Sequence, residues 1–145
     1  MKEKKKVRVL FVCIGNACRS PMAEAIARQD AGDLLEVYSA GLSPLGFIPD
    51  MTLRTLERNG YSINGLVSKP IDNKALLKID LVLNLSGRSK PIDLIAAART
   101  EDWPVADPYF EEEGTYQKVF EDIQRRINHL VLRLRSKEFE EKRNS

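Results

Sequence analysis

Cysteine and histidine are scarce in this chain. Its 145 residues include two cysteines, Cys13 and Cys18, and one histidine, His129. The single possible disulfide would close only a tiny loop, which argues against a disulfide scaffold. A Cys-x4-Cys pair can be half of a zinc site, but the other ligands would have to be that one histidine and carboxylates, which argues against a metal. Charge of one sign is missing too. The 23 Lys and Arg nearly balance 21 Asp and Glu, and the net +2 is too small to point to nucleic acid. No apolar run approaches the ~20 residues of a membrane span, and no signal-peptide apolar stretch follows the basic start Met-Lys-Glu-Lys-Lys-Lys. The expectation is a cytoplasmic protein without a nucleic-acid or membrane partner.

What is present is ordinary for a globular chain: 43% hydrophobic and 30% charged residues. Residues 1–145 are expected to form one domain with a real core. Residues 1–6 and 137–145 read as charged, mobile tails, the first as a solvated segment rather than an anchor for anionic partners.

Chemistry concentrates in residues 7–21. An apolar run, Val-Arg-Val-Leu-Phe-Val, ends at Cys13, and a loop Ile14-Gly15-Asn16-Ala17-Cys18 follows. Arg19-Ser20-Pro21 then opens a helix, with Ser20 suited to cap it and Pro21 to its first position. Strand, loop and helix N-terminus in this order aim backbone N–H groups at an anion. Gly15 can turn backward freely, and Asn16 tolerates the left-handed region better than most residues. Cys13 would face those donors and Arg19, all of which favour thiolate over thiol. The Arg19 fork matches two phosphate oxygens, as a lysine would not. The alternative is a buried structural cysteine beside a helix cap.

The remaining elements alternate. After strand 7–12 and helix 21–29 come a strand over 34–39, a helix over 50–59 stopped by Gly60, and a short helix over 72–78. A strand over 80–85, a helix over 89–99 and a short strand at Trp103-Pro104-Val105 follow. Tyr116, Val119, Phe120, Ile123, Ile127, Leu130, Val131 and Leu134 recur at helical spacing over 114–135. His129 lies beside that stripe and reads as a surface or boundary residue rather than a ligand. Phe47, in the loop over 42–48, can line a cleft or cover the core, and core cover is expected. The pattern implies an α/β fold: one three-layer α/β/α domain with a four-stranded parallel sheet and helices on both faces. Ligands bind such sheets beyond the carboxyl ends of the strands, which is where Cys13 falls.

Cys13-Ile14-Gly15-Asn16-Ala17-Cys18-Arg19-Ser20-Pro21, Ser39-Ala40-Gly41 and the late Asp107-Pro108-Tyr109-Phe110 together resemble the low-molecular-weight protein tyrosine phosphatase family. That superfamily also holds protein arginine phosphatases and thioredoxin-coupled arsenate reductases. The resemblance implies hydrolysis of phosphotyrosine, or a related phosphorylated side chain, on a protein or peptide through a phosphocysteine, by a monomer that needs no cofactor. Cys13 would be the nucleophile and Asp107 general acid, then general base. Arg19 and the amides of Ile14, Gly15, Asn16, Ala17, Cys18 and Ser20 would bind phosphate, and free phosphate or similar oxyanions would inhibit. Asn16, Ser20 and Ser39 would hold the loop. Tyr109 and Phe110 would flank the cleft mouth, the alternative being packing under the last helix. Cys18 could trap oxidised Cys13 as a reversible disulfide or simply pack the loop.

Three departures from the pattern matter. A histidine often found shortly after the second helix is absent around Gly65, which implies an altered hydrogen-bond network. After the third strand, Asn84 and Ser86 stand where many relatives carry an acid that orients the arginine. Ala17 replaces the bulky aliphatic of tyrosine phosphatases and the threonine of arginine phosphatases, so it does not choose between them. Asp102-Trp103-Pro104-Val105 looks like the arsenate-reductase branch, yet that branch needs further cysteines and none follows Cys18. A non-catalytic phosphate-binding module is the alternative of another class, but a binder needs neither thiolate nor acid.

Overall fold

Four short parallel strands form the centre of the molecule. The computed structural model describes residues 5–88 and 99–143. In chain order the elements are β1 (Val7–Cys13), α1 (Arg19–Ala31), β2 (Leu35–Gly41), α2 (Asp50–Arg58), α3 (Asn73–Leu76), β3 (Leu81–Asn84), β4 (Arg99–Asp102) and α4 (Glu113–Arg143). The sheet order is β2-β1-β3-β4, and every pairing is parallel. The chain leaves β1 toward β2 on one side and later returns to β3 on the other. The order therefore reverses at β1, the switch point where a crevice opens beyond the strand ends. Cys13 is the last residue of β1, in register with Gly41 at the end of β2.

β1 is apolar on both faces because both are covered. Val9, Phe11 and Cys13 join the larger core with Met22 and Ile26 of α1, Leu56 of α2, and Phe120, Ile123, Ile127 and Leu130 of α4. Leu10 and Val12 face the other way, onto Leu76, Ile79 and Val82. Phe11 packs on Trp103 with ring centroids 5.9 Å apart, and Tyr61 meets Phe120 edge-on at 5.6 Å. These contacts seat α1 and α4 against one face of β1 and so fix where the loop after Cys13 emerges.

The sequence expectations hold for fold class and element order, with five corrections. The fourth strand is Arg99–Asp102, before Trp103-Pro104-Val105 rather than on it. An edge strand half open to solvent needs no apolar alternation, so its Arg-Thr-Glu-Asp sequence gives no strand signal. The Trp103 amide still bonds the Asn84 carbonyl at 2.8 Å, so pairing continues briefly. α1 begins at Arg19, which places Ser20 inside the first turn and leaves Cys18 at the cap position without a side-chain capping bond. α4 continues through residues 136–143, a run rich in helix-forming Lys, Glu and Arg that was expected to fray. Phe47 is 55% exposed and does not cover the core. Arg99 opens β4 rather than closing a helix, and the rest of the helix expected over 89–99 lies outside the described residues, as do residues 1–4 of the tail. His129 is exposed, as expected. Among the described residues no helix is long and apolar enough to cross a membrane.

Truncating a fully buried α4 side chain should show how much of the fold this packing supports. Phe120→Ala is expected to cost about 3–5 kcal/mol. Urea unfolding should show a lower midpoint at unchanged slope.

Candidate active site

The loop after β1 is tied down through its carbonyls. The Cys13 oxygen accepts from the Leu42 amide at 3.0 Å and the Ile14 oxygen from the Ser43 amide at 2.8 Å. The Gly15 oxygen accepts from the Leu45 amide and from the Ser68 hydroxyl, each at 2.9 Å. With the acceptors occupied outward, the amides of residues 14–18 donate to no protein acceptor among the described residues. That is the wiring of an anion nest. Of the two residues suited to a backward turn, Asn16 makes it, at φ 47°, and Gly15 does not. Gly41 backs the loop so closely that a Cβ there would lie 2.9 Å from both the Asn16 nitrogen and the Ile14 oxygen. Only glycine fits.

Asn16 is fully buried and its orientation is unambiguous. Its Oδ1 accepts from the Lys69 backbone amide at 2.9 Å, and a main-chain N–H can only donate. Its Nδ2 must therefore donate, to Ser20 Oγ at 2.8 Å and Ser39 Oγ at 3.0 Å. Ser20 Oγ, already accepting from Asn16, is free to give its own hydrogen to Cys13 Sγ 2.9 Å away. This is why Ser20 does not cap α1. Its hydroxyl is turned to the sulfur.

Arg19 is 4% exposed, and its Nη1 donates to the carbonyls of Leu85 at 2.7 Å and Val105 at 3.4 Å. Its Nη2 stands 3.5 Å from Asp107 Oδ2. Main-chain oxygens thus hold the guanidinium in a chain where Asn84 and Ser86 replace the orienting acid of many relatives and looser holding of Arg19 was expected. Asn84 and Ser86 serve each other instead: Ser86 Oγ donates to Asn84 Oδ1 at 2.6 Å, and Asn84 Nδ2 reaches Asp102 at 3.0 Å. Asp107 Oδ1 accepts from the Tyr109 amide at 3.1 Å, which fixes the turn and leaves Oδ2 on the Arg19 side.

One cleft of about 210 Å³ gathers these groups: Cys13, Ile14, Gly15, Ala17, Cys18, Arg19, Ser43, Leu45, Asp107 and Tyr109. Asn16, Ser20 and Ser39 are buried behind it. Phe110 does not line it. That ring is 88% exposed, in the left-handed region at φ 70°, and stacks on Tyr109 with centroids 3.9 Å apart. Packing beneath α4 is equally ruled out for Phe110. Among the described residues, no three His, Cys, Asp or Glu side chains converge to hold a metal ion.

Sequence reasoning missed Ser43 and Leu45 on the cleft wall, and Ser68, Lys69 and Glu24 behind it. Glu24, 1% exposed on α1, accepts from Ser39 Oγ and pairs with Arg28. The one signal available was Glu24 and Arg28 at i,i+4 on a helix that is otherwise apolar or small from Ser20 to Ala27.

The model of the low-molecular-weight phosphotyrosine protein phosphatase family matches residues 8–143. The chain belongs to that family. An arsenate reductase of Staphylococcus xylosus is 34% identical over 131 residues, covering 88% of this chain and 98% of that protein. A solved arsenate reductase in its phosphate-binding state superimposes with a TM-score of 0.80 at 28% identity, covering 88% and 98% of the two chains. The YwlE arginine phosphatase of Geobacillus stearothermophilus has the same fold, with a TM-score of 0.80 at 23% identity over 92% and 96%. Family membership makes the chain an enzyme of the cysteine-based phosphatase and arsenate-reductase superfamily.

Cys13 and Cys18 are both free thiols. Burial pushes the Cys18 thiol above its ordinary value, against the lowering effect of the Thr52 and Tyr116 hydroxyls. Cys18 Sγ and Tyr116 OH are 3.5 Å apart, whereas the Thr52 hydroxyl sits nearby without hydrogen-bond geometry to either. Tyr116 is pushed up as well, first by burial and then by Cys18. Both groups favour the folded state while neutral. Their contribution is intact below the ordinary thiol value of 9.0 and is lost as pH rises through the higher folded-state values. The melting temperature should therefore decline above about pH 9, and less steeply in Cys18→Ala; equal slopes in the two proteins would contradict this.

Proposed function

We propose that this protein hydrolyses phosphotyrosine, or a related phosphorylated side chain, on proteins or peptides through a phosphocysteine intermediate, acting as a monomer. The observation that carries the reading is the convergence on one cleft of Cys13, Arg19, Asp107 and the following loop, whose amides have no protein acceptor among the described residues.

The chemistry follows from the partners each group already has. A tetrahedral dianion seated in the loop replaces water as acceptor for the amides and for Arg19, whose field is strongest where charge builds on the equatorial oxygens. Cys13 Sγ, held 2.9 Å from the Ser20 hydroxyl, attacks phosphorus in line as the thiolate and the P–O bond to the leaving group breaks. Asp107 gives its proton to the departing oxygen. It then takes a proton from the water that attacks the phosphocysteine, and the S–P bond breaks to return the thiolate and release phosphate. Because Ser20 donates to sulfur, it also stabilises the thiolate as it leaves in the second step. Tyr109 on the cleft wall offers a ring face to an aryl substrate.

A second reading is arsenate reduction, favoured by the 34% identity to the Staphylococcus xylosus enzyme. The thiol inventory weighs against it, since Cys13 and Cys18 are the whole supply and no cysteine follows them. Phosphotyrosine peptide, phosphoarginine peptide and arsenate with a dithiol reductant, assayed side by side, separate the readings. Hydrolysis of a phosphopeptide without arsenate turnover is expected, and arsenate turnover alone would overturn it. Cys13→Ser should abolish turnover, and Asp107→Asn should lower kcat by ~10²–10⁴. Wild-type turnover by Cys13→Ser would contradict the mechanism.

A further inference from the structure

The hydrogen-bond relay behind the nucleophile does not stop at Ser39. Ser39 Oγ is 2% exposed and has three partners. It accepts from Asn16 Nδ2 at 3.0 Å and from Lys69 Nζ at 3.2 Å, and it donates to Glu24 Oε1. A hydroxyl has two lone pairs and one hydrogen, so these partners use its whole capacity and leave it no freedom to rotate. Lys69 Nζ also donates to the Val67 carbonyl at 3.1 Å and stands 3.8 Å from Glu24 Oε1. Arg28 covers the other Glu24 oxygen. The ammonium is thus a tethered cation among three oxygens, at the edge of the core, pinned by a backbone whose amide orients Asn16.

We propose that Lys69 is a positioning residue for the nucleophile: its backbone amide sets the polarity of the relay Glu24–Ser39–Asn16–Ser20, and its ammonium completes the bonding of Ser39 and so holds that relay rigid behind Cys13 sulfur. The inference rests on Cys13 being the nucleophile. Taking the ammonium away leaves a lone pair of a buried hydroxyl unfilled and Glu24 with one cation instead of two. Ser39 is then held by Asn16 and Glu24 alone, and its oxygen can rock between them, which loosens the bond it takes from Asn16. The backbone bond from residue 69 to Asn16 survives any side-chain change, so the loop keeps its fold while the order behind the sulfur loosens.

Lys69→Met separates this role from a surface lysine that merely touches Val67. Two readouts are needed: steady-state hydrolysis of an aryl phosphate, and the rate at which iodoacetamide alkylates Cys13, followed by mass spectrometry at fixed pH. The second needs no substrate and is therefore independent of which phosphate ester the enzyme prefers. The expected result is a fall in kcat of about 10-fold or more with KM little changed, because misplaced reacting groups lose rate rather than binding. Cys13 alkylation should slow in parallel, and Lys69→Arg should retain most of both. Circular dichroism and the melting temperature check that each variant is folded, and if Lys69→Met is not, Lys69→Gln takes its place. Cys13 alkylation at the wild-type rate in a folded variant would overturn the proposal, whatever happened to kcat. Slowed alkylation in a protein without any phosphatase activity would instead sustain Lys69 and refute the substrate reading.

Discussion

Three hydrogen bonds from one buried amide organise the site. Asn16 holds Lys69, Ser20 and Ser39 at 2.8–3.0 Å while its backbone sits at φ 47°. The left-handed turn disfavours most side chains, and the amide bonds offset that cost. Because one Asn16 atom accepts from a backbone N–H, its other atom must donate, to Ser20 and Ser39 alike. The consequence reaches the sulfur: Ser20, accepting from Asn16, keeps its own hydrogen available for Cys13 2.9 Å away. Replacing Asn16 by a residue of similar size but without the amide would leave Ser20, Ser39 and the Lys69 amide each lacking a partner in a buried place, where such losses are expensive.

The fold places this constraint where it is useful. β1 is central in the sheet and apolar on both faces, so its end is rigid. The order β2-β1-β3-β4 reverses there, and the crevice beyond the strand ends receives the loop from β1 and the Asp107 turn from beyond β4. Gly41, paired with Cys13, lets β2 approach the loop more closely than any side chain would allow. Arg19 is tethered by the carbonyls of Leu85 and Val105, so the segments after β3 and β4 orient the guanidinium without an acidic side chain. In this way the sheet sets the distances, and the side chains supply the charge.

Much of this was legible in the order of the residues. A β-branched run stopping at cysteine, a small loop and an Arg-Ser-Pro helix start predict the strand, the nest and the helix that the structure shows. Asp107 was legible because a proline fixes the turn that follows the last strand. Other features were not. β4 is a polar edge strand whose existence depends on β3 beside it, and no local pattern encodes that partner. Ser20 looked like a helix cap because a serine before proline usually is one; the claim of the cysteine sulfur on its hydroxyl is a tertiary fact. The same holds for Glu24 and Lys69, 45 residues apart by their numbers, which meet only once the segment before Pro70 has docked against α1. Phe110 was misplaced for a local reason: beside Tyr109 it was expected at the cleft mouth or beneath the last helix, and a left-handed backbone turns it outward.

The central claim is that the amides of residues 14–18 are held ready for a tetrahedral dianion before any substrate arrives. Amide proton shifts on titration with inorganic phosphate test it most directly. The account predicts saturable downfield shifts confined to Ile14 through Arg19, strong in the wild type and lost in Asn16→Ala. Shifts of equal size in that variant, or a wild-type loop that does not respond while phosphate binds elsewhere, would contradict it.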